Sequence, residues 1–142
     1  MSTIVVGTDG SPGAEAAIEK VIELVGNSGA TVNLVTAYPG RSTLERIGMS
    51  ARTESVDMRG VATDVIARGA HRFEDAGFTV EKHVREGEPA HVIADVAEEQ
   101  GADLIVVGAT SNTGTQRRFA IGGVAAKLSH HAPTSLLIVR HA

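Results

Sequence analysis

Cysteine is absent from the chain, and so is tryptophan. The first absence removes any disulfide framework, thiolate nucleophile or cysteine-based zinc site, and it fits a reducing compartment. The second, with one tyrosine and three phenylalanines, leaves no platform on which single-stranded bases would stack. Basic charge is scarce as well. Thirteen Lys and Arg against 17 Asp and Glu give a formal charge of −4, the wrong sign for a nucleic-acid partner. No apolar run is long enough to span a bilayer, and the chain reaches an apolar stretch by residue 4 with no basic n-region before it. Neither a membrane segment nor a signal peptide is therefore read, and a cytoplasmic globular protein is expected. The 142 residues suit a single domain, 1–142, long enough to bury a core without staples.

Several catalytic signatures are missing too. A Walker A loop needs a lysine after its glycines, and no lysine lies between Lys82 and Lys127. The turn Gly7-Thr8-Asp9-Gly10-Ser11 does not have the G-x-G-x-x-G spacing of a dinucleotide fold. There is no G-x-S-x-G elbow to activate a serine. His71, His83, His91, His130, His131 and His141 include no pair spaced to share a metal on one helix face, and they read as surface or helix-end residues.

What is present is an alternation of strand-like and helix-like segments. Thr3-Ile4-Val5-Val6-Gly7 is rich in β-branched residues throughout, as expected of a strand buried on both faces of a parallel sheet. Further strands are expected at 31–38, 78–84, 103–107 and 135–140, and Glu81, Lys82 and His83 put the third near an edge. Ser11 is a plausible N-cap with Pro12 in the first helical position. The helix it opens carries Ala17, Val21, Leu24 and Val25 on its core face and Glu15, Glu19 and Glu23 on a solvated one, and ends near Gly26 to Gly29. A second helix, from about 56 to 76, repeats Val61, Val65, Ile66, Ala70 and Phe73 at helical spacing. Glu88-Pro89 opens a third, with Val92, Ile93, Val96 and Ala97 inward and Gly101 as its stop, and a fourth runs from Gly122 to about His131. Residues 39–56, with Arg41, Arg46 and Arg52, show no period and are read as a connection holding a short helix or a flap.

Such alternation predicts an α/β fold in three layers, with a five-stranded parallel sheet between helices. Ligands of these sheets bind beyond the carboxyl ends of the strands, where the strand order reverses. With the second and third strands on one side of the first, and the fourth and fifth on the other, the reversal falls between strands one and four. The loops that meet there begin at Thr8-Asp9-Gly10 and at Gly108. The stretch from Leu104 to Val124 reads as a buried strand, a loop of small and hydroxylated residues, and the pair Gly122-Gly123 opening an apolar helix. Glycines let backbone N–H groups approach an anion, and the helix N-terminus adds unpaired donors with partial positive charge. Each residue also has a plainer reading: Asp9 as a turn former, Gly122-Gly123 as close packing, Arg117 and Arg118 as solvated loop charges.

Four stretches taken together carry a family resemblance. Val5-Val6-Gly7-Thr8-Asp9-Gly10-Ser11, Glu86-Gly87-Glu88-Pro89-Ala90, Ala102-Asp103-Leu104-Ile105-Val106-Val107-Gly108 and Ala132-Pro133-Thr134-Ser135-Leu136-Leu137-Ile138-Val139-Arg140 resemble universal stress proteins, in the same order and over essentially the whole chain. The resemblance implies an adenine-nucleotide α-hydrolase-like fold with strand order 3-2-1-4-5. It also implies a homodimer paired through the C-terminal strand, acting in stress response, with ATP or another adenine nucleotide as ligand and Mg²⁺ accompanying ATP. Many members hold ATP through G-x2-G-x9-G-[ST] after the fourth strand. Here Gly108 fits the first glycine, but Ser111 replaces the second, ten residues separate it from Gly122, and Gly123 stands at the Ser/Thr position. Thr110, Thr113 and Thr115 are further hydroxyl donors in that loop, and Gly114 adds flexibility. By resemblance, Asp9 with Thr8 meets the base, Ala37 lines the pocket and Val107 and Gly108 flank the nucleotide. Ser111, Gly122, Gly123 and Val124 meet phosphates, and Arg117 and Arg118 approach a terminal phosphate. Two other readings of this fold are a dimeric adaptor that binds no nucleotide and acts through protein contacts, and a slow ATPase, for which Asp9 is the one evident carboxylate. A flavin-type electron carrier lacks its aromatic flanks.

Overall fold

The computed structural model describes residues 2–26, 28–40, 57–109 and 122–141. The chain runs β1 (Thr3–Gly7), α1 (Pro12–Val25), β2 (Thr31–Tyr38), α2 (Met58–Asp75), β3 (Thr79–Glu86), α3 (Pro89–Gln100), β4 (Leu104–Gly108), α4 (Gly123–His131) and β5 (Ser135–Val139). All neighbouring strands pair in parallel, in the order β3-β2-β1-β4-β5. The expected architecture and topology are therefore observed. The connection read as a flap lies mostly outside the described residues, with Arg41, Arg46 and Arg52. Among the described residues, no helix is long and apolar enough to cross a membrane.

Side chains of a strand alternate between faces, and the central strands here are apolar on both. Ile4 and Val6 of β1, with Val32 and Leu34 of β2 and Val106 of β4, pack with Ala17, Ile18, Val21, Ile66 and Phe73 from α1 and α2. Val5, Val35, Ile105 and Val107 pack instead with Val92, Ile93, Val96 and Leu128 from α3 and α4. Each fully buried aliphatic side chain contributes about 1.5–3 kcal/mol relative to exposure. That gain favours the interior for β1 and β4, whose side chains are almost all apolar, over β3 with its Glu, Lys, His and Arg.

The helix starts follow from their caps. Ser11 Oγ accepts from Ala14 N–H at 3.3 Å, and Pro12 occupies the first turn, where its missing N–H is no loss. Glu88 caps α3 by accepting from the Ala90 and His91 amides. Burial pushes the Glu88 carboxyl up, but those two amides and the Lys127 ammonium outweigh it and hold the group below its ordinary value. The Arg72 guanidinium spans both Glu19 oxygens, at 2.6 and 2.8 Å, tying α2 to α1. Such exposed pairs are worth about 0–1 kcal/mol.

Three sequence expectations change. Leu24, expected on a core face, is 60% exposed, and Val61, expected to repeat with the apolar positions of its helix, is 54% exposed. Each lies in a terminal turn of its helix, Leu24 at the end of α1 and Val61 at the start of α2, while Ile18 and Ala62 take the buried positions instead. His83, read as a surface or helix-end residue, is half-buried on β3, with Nε2 2.9 Å from Oδ1 of Asn33. Asn33 itself is 1% exposed.

Burial, followed by the charge of Arg85, lowers the pKa of His83 from its ordinary 6.5, and Glu81 and Glu99 offset this only in part. The folded protein thus binds this proton more weakly than the unfolded chain does. His83 should therefore cost stability as pH falls through 6.5, and the loss should level off below its folded pKa. Urea unfolding between about pH 8 and 5 should show this slope reduced in His83→Gln relative to the parent; parallel curves would remove His83 as its source.

Candidate functional site

Register decides what meets at the carboxyl rim of the sheet. Gly7 pairs with Val35 across β1 and β2, and Val6 with Val106 across β1 and β4. Thr8, Thr36 and Gly108 are consequently level at the rim, with Ala37 one residue further along β2. From this line β2 and its successor β3 go one way and β4 and β5 the other, so the connections diverge and leave a crevice over β1.

The β1–α1 turn forms one wall. Its backbone is pinned to β2 from both ends of the Thr8 peptide: Thr8 N–H donates to Val35 O at 2.9 Å, and the buried Thr36 hydroxyl donates to Thr8 O at 3.0 Å. Thr8 Oγ1 accepts from Gly10 N–H, and Asp9 Oδ1 accepts from Ser11 N–H at 2.9 Å. Asp9 therefore does act as a turn former, through one of its oxygens. Gly10 sits at φ 79°, a left-handed conformation that glycine adopts without strain.

β4 forms the floor and α4 the opposite wall. At Gly108 a Cβ would lie 2.6 Å from Gly13 O and 2.7 Å from Gly13 C, so this glycine lets the end of β4 pass against the first turn of α1. Ala109 N–H then bonds Val139 O of β5, and Gly122 N–H bonds Ala109 O, which brings the start of α4 back beside the end of β4. Gly122 is the N-cap of α4 and offers no side-chain cap. The other three described helices each have one, from Ser11, Asp57 and Glu88. Among the described helices, α4 is thus the one whose N-cap residue supplies no side-chain acceptor to its first-turn amides. At Gly123 a Cβ would meet nothing within 4 Å.

These pieces enclose one cavity of about 130 Å³. Thr8, Asp9, Ala37, Val107, Gly108, Gly122, Gly123 and Val124 all line it. Ser111, the remaining residue expected there, lies outside the described residues, as do Thr110, Thr113, Gly114, Thr115, Arg117 and Arg118. The sequence reading missed Pro89 and Ile93 of α3, and Ser11 and Ala14 of α1. Their signal was topological, since every helix that follows a strand begins at this rim. Thr36 was missed as well: its role depends on where Thr8 O falls, which no local pattern reveals. Among the described residues no cluster of His, Asp and Glu is arranged to hold a metal.

A parallel α/β sheet with a glycine-lined crevice at its strand-order reversal, walled by a helix N-terminus whose cap is glycine, defines the class of switch-point folds. The chain belongs to the universal stress protein family, whose model matches residues 1–140. A universal stress protein of Mycobacterium tuberculosis is 30% identical over 140 residues, covering 96% of this chain and 94% of the relative. Among solved structures, a universal stress protein in complex with cAMP is 26% identical with a TM-score of 0.73, covering 99% of this chain and 98% of its own. The universal stress protein from Archaeoglobus fulgidus in complex with dAMP shares the fold, with 23% identity, a TM-score of 0.70 and coverage of 97% of each chain.

The two glycines of the crevice should respond differently to a methyl group. Gly108→Ala is expected to lose about 1–3 kcal/mol, because the Gly13 backbone cannot yield as a flexible side chain would. Gly123→Ala should stay within about 0.5 kcal/mol of the parent. Urea unfolding of both variants checks the contrast, and equal losses would contradict the packing described.

Proposed function

We propose that this universal stress protein binds an adenine nucleotide, ATP among the candidates, in the crevice over β1. The observation that carries the reading is the uncapped start of α4, whose amides line a cavity that also contains the ends of β1 and β4. Unsatisfied helix N-termini favour anions through their donors and the helix dipole. In this reading Gly122, Gly123 and Val124 hold phosphate, with Ser111 contributing from the β4–α4 connection. Val107, Gly108 and Ala37 provide the apolar bed for the base. Thr8, held in place by Val35 and Thr36, and Asp9, held by its turn bond from Ser11 N–H, accept or donate at the base edge or sugar. A cavity of about 130 Å³ is smaller than the ~300–1,000 Å³ that encloses a drug-sized ligand, so a nucleotide seated here keeps part of its surface outside the rim. Mg²⁺ would enter with ATP, held by its phosphates rather than by a protein cage.

The same reading makes the protein a cytoplasmic homodimer in stress response, paired through β5. Support comes from that strand: Leu136, Leu137 and Ile138 stay half-exposed on an outer strand with no further neighbour among the described residues. A second copy would cover them and satisfy the open edge.

Calorimetric titration with ATP, ADP, AMP and cyclic AMP tests the ligand. At least one should bind, and Gly123→Val should weaken it by about tenfold or more with unchanged unfolding, because the side chain fills the approach to the α4 amides. A parent protein that ignores all four nucleotides, or a Gly123→Val protein that binds as the parent does, would overturn the assignment.

A further inference from the structure

The sheet ends at β5 on one side and at β3 on the other, and β3, at eight residues, is the longer edge. Along a parallel edge strand, alternate residues point their N–H and C=O groups away from the sheet, ready to pair with another backbone. Beside this edge lies a groove of about 470 Å³ between β3 and α2. Arg59, Lys82, His83 and Arg85 line it, over an apolar floor that includes Ile66 and Val84. No described carboxylate lines it, although the chain as a whole carries −4. Glu81 and Glu86 of the same strand do not line the groove. By contrast, the groove between α1 and α2 balances Arg68 and Arg72 with Glu15 and Glu19.

The cations of the β3 groove are differently engaged. Arg59 donates to the Tyr38 hydroxyl at 3.1 Å and lies over the Tyr38 ring, with no ion-pair partner among the described residues. Arg85 is forked onto Glu99 of α3. Lys82 is exposed and has no ion-pair partner among the described residues. No residue lines both this groove and the nucleotide crevice, so the two surfaces are separable.

We propose that the β3 edge docks an extended acidic segment of a partner protein, which adds to the sheet as a strand outside β3 and sets its carboxylates against Lys82 and Arg59. Strand addition takes affinity from backbone hydrogen bonds and specificity from alternate side chains. A polypeptide fits better than a nucleic acid because the edge offers paired amide and carbonyl groups, which a sugar–phosphate backbone cannot match. Among its described residues the groove also has no aromatic side chain on which a base would stack.

A fluorescein-labelled peptide alternating glutamate with valine serves as the probe, followed by anisotropy on the full chain. Three controls accompany it: the same peptide N-methylated at alternate residues, its lysine counterpart, and a single-stranded RNA. The acidic peptide should bind and should slow amide exchange in 79–86. Lys82→Glu should raise its Kd by about tenfold while leaving unfolding unchanged, since the side chain is exposed. The N-methylated and lysine peptides should fail. Equal binding of the N-methylated peptide would overturn strand addition, and tighter binding of RNA would overturn the choice of partner. No binding of the acidic peptide, or no effect of Lys82→Glu, would overturn the site itself.

Discussion

Parallel pairing of β1 with both of its neighbours is the constraint on which the remaining architecture depends. Because β2 and β4 run in the direction of β1, each must be reached by a crossover, and each crossover begins at the same rim. β1 is followed by α1 toward β2, whereas β4 is followed by α4 toward β5 on the opposite side. The crevice is what remains between connections that part company. It needs no special loop to open it, only the register in which Gly7 faces Val35 and Val6 faces Val106.

What distinguishes the crevice chemically is how the helix ends around it are satisfied. Ser11 and Glu88 close the starts of α1 and α3 with side-chain acceptors, whereas Gly122 brings none to α4. A helix start without a side-chain acceptor is a liability when the other described helix starts each have one, unless something else supplies the acceptor. An anionic group of a ligand would meet that need, and the open space around the Gly123 Cα would leave it room. The pinned Thr8 peptide and the Gly108–Gly13 approach keep the facing wall and floor fixed, so the site is preorganised on strands and not on its loops alone.

Most of this was legible in the sequence because each signal was local. The β-branched runs marked the strands, Ser11-Pro12 and Glu88-Pro89 marked helix starts, and the charges on β3 marked an edge. The crevice residues followed once two chemically equipped loops were placed at one reversal of strand order. The failures have a common cause. Helical period gives the angle of a residue around its axis but not where the helix leaves the sheet, so Leu24 and Val61, in terminal turns, were read with the apolar positions of their helices. His83 and Thr36 depend on cross-strand partners, Asn33 and Thr8, which only the pairing register brings near.

The central claim is that nucleotide binds at the reversal of strand order, against the start of α4. An amide-resolved NMR titration with ATP and Mg²⁺ tests it most directly, since each wall of the crevice has its own backbone reporters. The account predicts the largest shift changes at Thr8 and Asp9, at Gly108, and at Gly122 through Val124, with β3 and the far ends of the helices unmoved. Shifts confined to residues away from this rim, or none at saturating nucleotide, would contradict it.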